Sequence, residues 1–152
     1  MTAEQTTSSS HQADAVILQA SLELVAPAAD ELIASFYDRL FTEHPAVRPL
    51  FPPQMDPQRE KLLTAIVGLV TDYDRPDVLR PALEALGARH EAYGAQVEHY
   101  AAVGACLLAT LREFAGDAFT PEVEAAWTRC YTFAAGTMMQ GAALAATESR
   151  AA

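Results

Sequence analysis

Apolar residues recur every three or four positions in segment after segment of this chain, and this spacing constrains the fold more than any other feature. From about residue 13 onward the spacing is helical, and no alternating run of β-branched residues lies between hairpin turns. A broad row on the second segment carries Leu32, Phe36 and Leu40, for example. The pattern predicts an all-α protein of six or seven helices without an internal repeat.

Proline marks the expected helix starts. Pro57 and Pro121 each follow a capping residue, and Pro27 precedes the acids of a first helical turn, as expected for proline at the first position of a helix. Helices are therefore expected over residues 13–24, 27–44 and 56–73, followed by a helical segment whose apolar stripe ends at His90 and by two longer helices. Pro81 is expected to start or kink the segment before His90, and the proline-dense stretch after residue 44 predicts a short corner.

The remaining boundaries follow from composition. The first twelve residues are rich in Ser and Thr and have no periodicity, so the sequence predicts a mobile tail over residues 1–12 and one domain over residues 13–148. A chain of 152 residues that is 51% hydrophobic can bury one sizeable core.

Charge and cysteine content exclude several classes of protein. The net charge of −10 leaves no basic patch for nucleic acid, and the N-terminus lacks the plan of a secretory signal, which predicts a cytoplasmic protein. Residues 130–147 carry no charge, but they are mostly Ala, Gly and Thr, which favours a buried helix over a membrane span. Cys106 and Cys130 lack CxxC spacing, so they are expected to be core residues, with neither a disulfide nor a zinc site.

Three polar side chains fall on apolar stripes: Tyr37, Gln58 and His90. Each alone has an ordinary explanation, as a core aromatic, a solvated first-turn residue or a core histidine with a satisfied ring. Together they are harder to explain, because each buried polar group left unpaired would cost roughly 1–3 kcal/mol. A ligand shared by all three would account for them.

Five segments, in this order, resemble the globins, and within them the bacterial haemoglobins and the haem domains of flavohaemoglobins. They cover nearly everything after the tail: FYDRLFTEHPAVRPLF (Phe36 to Phe51), DPQREKLLTAI (Asp56 to Ile66), LGARH (Leu86 to His90), HYAAVGACLLATL (His99 to Leu111) and AWTRCY (Ala126 to Tyr131).

The resemblance implies a globin fold around a b-type haem, with His90 as the proximal axial ligand of the iron and Tyr37 and Gln58 as hydrogen-bonding residues on the distal side. It also implies roles for a wider set of residues: Phe51 on the haem face, Leu62 and Ile66 in the distal pocket, Val103 in the haem wall, Tyr100 beside the proximal histidine, and Lys61 and Arg89 as propionate partners. Cys106 is a rival axial ligand, which is disfavoured because it would bury a thiolate charge.

The function implied by the resemblance is reversible binding of dioxygen for storage or delivery, with nitric oxide and carbon monoxide as further ligands. Nitric oxide detoxification to nitrate would need a separate reductase, since no glycine-rich nucleotide fingerprint is present. A monomer or homodimer is expected. Two alternatives stay open: a haem-based gas or redox sensor that acts through a partner protein, and a haem-free scaffold in which His90 is a core residue.

The sequence departs from the flavohaemoglobin pattern on its last helix. That pattern places a glutamate there to complete a network with the proximal histidine and a tyrosine, and here the matching position is expected at Leu144. Loss of the carboxylate predicts a less electron-donating imidazole and less peroxidase-like character.

Overall fold

The computed structural model describes the backbone of residues 3–151 and the side chains of residues 10–148, and within them it contains helices and no strand. Its six α-helices are α1 (Ala3–Val25), α2 (Ala29–Glu43), α3 (Asp56–Thr71), α4 (Pro76–Ala92), α5 (Val97–Ala115) and α6 (Pro121–Ala151). Three short 3-10 helices lie at Ala26–Ala28, Pro45–Leu50 and Gly116–Ala118. The predicted all-α class and helix number are confirmed.

Helix α1 begins ten residues before the predicted start at residue 13, so the expected tail over residues 1–12 is helical from Ala3. Tertiary contacts account for the order of the chain near residue 11. The buried ring of His11 stacks on Tyr73 at 4.1 Å and meets Phe133 edge-on at 4.7 Å. One turn later Asp14 accepts two hydrogen bonds of 2.8 Å from Arg129 on α6. Met1 and Thr2 lie outside the described residues, and the domain limits of 13–148 stay a prediction.

Most predicted helix starts agree with the structure. Pro57 lies in the first turn of α3, Pro121 opens α6, and the proline-dense corner forms the 3-10 helix at Pro45–Leu50. Pro81 is different, because it lies inside α4 rather than at its start. The helix begins at Pro76, whose fixed φ suits a first position, and it continues through Pro81.

Helices α4 and α6 pack with their backbones in direct contact. A Cβ added to Gly87 would lie 1.8 Å from the carbonyl oxygen of Met138, and one added to Gly141 would lie 2.0 Å from that of Glu84. Since the lower-numbered residue of α4 faces the higher-numbered residue of α6, the two helices are antiparallel. His90, one turn beyond Gly87, therefore lies level with the part of α6 that precedes Met138.

The core lies where α1, α2, α5 and the N-terminal half of α6 meet. Its largest buried side chains include Phe36, Leu40 and Trp127, and the Trp127 indole donates to Ser21 Oγ at 2.8 Å. Among the described residues, no helix is both long enough and apolar enough to cross a membrane.

Candidate functional site

Tyr37 lies at the centre of an aromatic group on the inner face of α2. It is 4% exposed, and its ring centroid lies 5.6 Å from that of Phe51 and 5.7 Å from that of Phe41. Phe41 and Phe51 also meet each other at 5.4 Å. The 3-10 corner thus brings Phe51 back onto α2, and these rings fix the position of the phenol.

Gln58 reaches this phenol from the first turn of α3. Its Nε2 donates to the Tyr37 hydroxyl oxygen at 3.3 Å. The hydroxyl proton itself has no acceptor among the described residues, so Tyr37 accepts one hydrogen bond and can still donate another. Burial raises the pKa of Tyr37 above its ordinary value, and the bond from Gln58 offsets this in part. The phenol is therefore a neutral donor at physiological pH.

His90 is held by its own helix. Its Nδ1 lies 2.8 Å from the carbonyl oxygen of Leu86, one turn earlier in α4. A carbonyl can only accept, so this contact assigns the ring proton to Nδ1 and leaves the lone pair of the neutral ring on Nε2. A neutral imidazole with one nitrogen bonded to a carbonyl and the other free is the form that ligates metals.

Tyr100 lies beside His90, with 6.4 Å between the ring centroids. Its hydroxyl oxygen is buried and has no hydrogen-bond partner among the described residues. Burial raises the pKa of Tyr100, and the nearby carboxylate of Glu91 raises it further. Tyr131 donates from its own hydroxyl to the Tyr100 carbonyl, which ties this part of α5 to α6.

The other predicted residues take ordinary positions. Ile66 is buried, Leu62 and Val103 are half-buried against the core, and Lys61 and Arg89 are exposed on α3 and α4. Neither cation forms an ion pair with a described side chain, so their assignment to propionates stays a prediction.

The structure therefore brings together two groups of the predicted residues: Tyr37, Gln58 and Phe51 form one group, and His90 and Tyr100 form the other. No hydrogen bond or ring contact joins the two groups across the part of the chain that is described. Cys106, the rival ligand, is occupied elsewhere, since its Sγ donates to Glu43 Oε2 at 3.3 Å.

Leu144 was expected at the position of the missing carboxylate, and this assignment is wrong. Leu144 is 59% exposed, and in the antiparallel pair it lies beyond Gly141, away from the end of α4 that carries His90. No Asp or Glu occurs between Trp127 and Glu148, and the absence of the proximal carboxylate stays a prediction. The unpartnered hydroxyl of Tyr100 agrees with that absence.

Two contacts in or near the site were not predicted from the sequence. Phe41 occurs in the same row as Tyr37, one turn later, so its place beside the phenol could have been found from helical spacing. The contact between Tyr131 and Gly104, whose Cβ would lie 2.4 Å from the tyrosine ring, depends on how α5 crosses α6 and has no local signal.

A comparison with known families decides what this arrangement belongs to. The model of the globin family matches residues 34–138, more than half of the chain. The chain belongs to the globin family. The match includes Tyr37, Gln58, His90 and Tyr100, so both groups of site residues lie within the globin region.

The relatives of this globin include larger proteins. It is 36% identical to a flavohaemoprotein of Vibrio cholerae over 122 residues and 37% identical to one of Rhodopirellula baltica over 115 residues. These alignments cover 78% and 74% of this chain but only 31% and 28% of the relatives. The chain thus spans less than a third of the length of these relatives.

Solved structures show the same fold. An engineered carbene transferase from Rhodothermus marinus, made from a suspected nitric oxide dioxygenase, superposes with a TM-score of 0.80 at 25% identity, covering 90% of this chain and 96% of that one. A bacterial globin from Campylobacter jejuni superposes with a TM-score of 0.75 at 22% identity, covering 86% and 95% of the two chains.

The side chains of this globin fit a haem. A histidine binds haem iron through a neutral imidazole nitrogen, and His90 offers Nε2. A small ligand on the iron needs a donor inside an apolar wall, and Tyr37 keeps one free proton among aromatic rings. Family membership and these donors together support haem binding.

Proposed function

We propose that this globin binds a b-type haem through His90 and binds dioxygen reversibly, with Tyr37 as the residue that retains the ligand. The observation that carries the proposal is the direction of the hydrogen bond from Gln58 to Tyr37, which leaves the tyrosine proton free to donate. When bound, the haem would supply a ferrous iron that takes dioxygen, nitric oxide or carbon monoxide and that can be oxidised to the ferric state.

On the distal side, each residue has a separate task. Tyr37 would donate a hydrogen bond to a ligand atom that carries partial negative charge, and Gln58 fixes the orientation of the hydroxyl by donating to its oxygen. Phe41 and Phe51 keep water from the phenol, so that its hydrogen bond forms in a medium of low dielectric constant.

On the proximal side, Leu86 sets the tautomer and rotation of His90, because its carbonyl holds Nδ1. We assign Leu62, Ile66 and Val103 to the apolar lining of the pocket, and Lys61 and Arg89 to the two propionates, where their exposed cations would be paired.

We also propose that this globin oxidises nitric oxide to nitrate when a separate reductase returns the iron to the ferrous state. The support comes from its relatives, which are named flavohaemoproteins, and from the suspected dioxygenase of Rhodothermus marinus. The reductase is then a transient protein partner. A cytoplasmic location and a monomeric or homodimeric state stay predictions.

The first test is an absorption spectrum of the purified protein, in the ferric state, after dithionite reduction, and after exposure to air and to carbon monoxide. We expect an oxygenated spectrum that is lost in His90→Ala and restored by added imidazole, which can occupy the vacated ligand position. His99→Gln is the matched control, because His99 caps α5 through the Gln96 backbone and has no assigned part in haem binding. A spectrum in His90→Ala identical to that of the wild type would contradict the assignment.

The second test separates the two activities. Mixing the oxygenated protein with nitric oxide in a stopped-flow instrument should convert it rapidly to the ferric form and yield nitrate. If oxygen binds reversibly but this conversion is slow, the dioxygenase activity is refuted and reversible binding remains.

A further inference from the structure

We propose that Glu43, His44 and Cys106 form a zinc-binding site at the end of α2, separate from the residues assigned to haem. One carboxylate oxygen, one imidazole nitrogen and the sulfur all lie within 4.8 Å of one another. Carboxylate, imidazole and thiolate are the three ligand types that proteins use for Zn²⁺.

The fold creates this group from two distant parts of the chain. Helix α2 ends at Glu43, and the backbone of His44 leaves the helix at φ −134° and ψ 67° while its N–H still donates to the Leu40 carbonyl. Cys106 lies in the middle of α5, 1% exposed, on the face that packs against α2. The last turn of α2 is therefore fixed directly over the buried sulfur.

The thiol and the carboxylate are already in contact. Cys106 Sγ donates to Glu43 Oε2 at 3.3 Å, and Glu43 forms no ion pair with any described residue. Arg39, which lies one turn earlier in α2, is paired with Glu113 at 2.6 Å. The carboxylate of Glu43 thus points at a sulfur rather than at a cation, and a divalent metal would supply the missing positive charge.

The distances between the three ligand atoms would let them coordinate zinc after small movements of their side chains. Ligand atoms around tetrahedral zinc lie about 2.0–2.3 Å from the metal, which puts them roughly 3.3–3.8 Å apart. The separations in the structure are at most 4.8 Å, so a contraction of about 1 Å is needed, and the exposed side chain of Glu43 can provide much of it. Three protein ligands leave a fourth position for water.

The charges balance when zinc binds. The proton on Cys106 Sγ is released to solvent, the sulfur takes the metal in its place, and zinc stays divalent throughout. One thiolate and one carboxylate then neutralise Zn²⁺, so that no net charge is buried.

The sequence predicted no zinc site, because neither cysteine belongs to a CxxC motif. That expectation relied on ligands being close in sequence. Here Glu43 and Cys106 are 63 residues apart, and only the packing of α2 on α5 unites them.

The test is calorimetric titration of the haem-loaded full chain with zinc chloride. We expect one Zn²⁺ per chain, and an affinity that falls by at least about tenfold in each of Glu43→Gln, His44→Gln and Cys106→Ala. The estimate is conservative, because loss of residues that only orient zinc ligands already costs roughly 10- to 100-fold. Cys130→Ala and His99→Gln are matched controls that remove the other thiol and another imidazole.

If Cys106→Ala destabilises the core, the zinc affinity of His44→Gln becomes the decisive measurement. His44 lies in the turn after α2, so its replacement should leave the core intact. Wild-type affinity in His44→Gln, or an equal loss in Cys130→Ala, would overturn the proposal. A Cd²⁺ titration gives a second readout, because a sulfur-to-metal ultraviolet band should appear and be absent in Cys106→Ala. The oxygenated spectrum should be the same in the Glu43→Gln and His44→Gln variants, so failure of the zinc site is distinguishable from failure of haem binding.

Discussion

Replacing Tyr37 by phenylalanine tests the proposed distal donor directly. The variant keeps the ring that packs against Phe41 and Phe51 and removes only the hydroxyl. In the wild type this hydroxyl is buried, accepts from Gln58 and has its proton free. Gln58 is only half-buried, so in the variant it can turn to solvent and leaves no stranded buried group.

The size of the effect follows from the kind of hydrogen bond that is lost. A bond to a group with charge contributes about 1.5–3 kcal/mol, against about 0.5–1.5 kcal/mol for a neutral pair. Because each 1.4 kcal/mol corresponds to a factor of ten, dioxygen should dissociate roughly 10- to 100-fold faster from Tyr37→Phe. Association should change little, since the apolar wall is preserved.

The assay is displacement of dioxygen by carbon monoxide in a stopped-flow instrument, with Tyr73→Phe as the control. Tyr73 is as deeply buried as Tyr37 but stacks on His11, outside the proposed site. Burial raises the pKa of Tyr37 above its usual value near 10, so the phenol stays protonated and the wild-type rate should be constant between about pH 6 and pH 9. A change of less than about twofold in Tyr37→Phe, or an equal change in Tyr73→Phe, would refute the reasoning.

Two further predictions concern stability and thiol reactivity. Gly87→Ala should lower the free energy of unfolding in urea by at least about 2 kcal/mol, because its Cβ would collide with the Met138 backbone. Gly136→Ala, with nothing within 4 Å, should instead gain about 0.5–1 kcal/mol, and equal effects would contradict the close packing of α4 on α6. Burial raises the pKa of Cys106 to about 11 and that of Cys130 to about 12, so at about pH 8 both should react with iodoacetamide far more slowly in the native protein than in urea. Native labelling at the unfolded rate would show that they are exposed.

The helices could be predicted from the sequence because their signals are local. Helical spacing and prolines such as Pro121 located most elements to within a few residues. The predicted start of α1 lies too late in the chain because the residues before it have weak helical propensity. The helix around His11 is stabilised instead by contacts such as that of His11 with Tyr73. Such contacts join residues 62 apart and leave no trace in a short window.

The candidate site also has features that the sequence predicts and features that only the structure shows. Tyr37, Gln58 and His90 could be singled out because each interrupts an apolar stripe, and the resemblance to globins gave them roles. Sequence could not show that Gln58 donates to Tyr37 rather than accepts from it, nor that Leu86 fixes the tautomer of His90. These directions depend on side-chain geometry, and they determine which atoms are free for a ligand.

The proximal side gives a reason to expect ligand binding rather than peroxide chemistry. A carboxylate that accepts from a ligating imidazole makes it more basic and more electron-donating. Here Nδ1 of His90 donates to the neutral carbonyl of Leu86, and the buried hydroxyl of Tyr100 has no described partner to relay charge to it. Glu91 lies near enough to raise the pKa of Tyr100, yet it forms no hydrogen bond with it. As the proposed iron ligand, His90 would therefore be an ordinary neutral imidazole, and such a ligand favours reversible binding of dioxygen over cleavage of its bond.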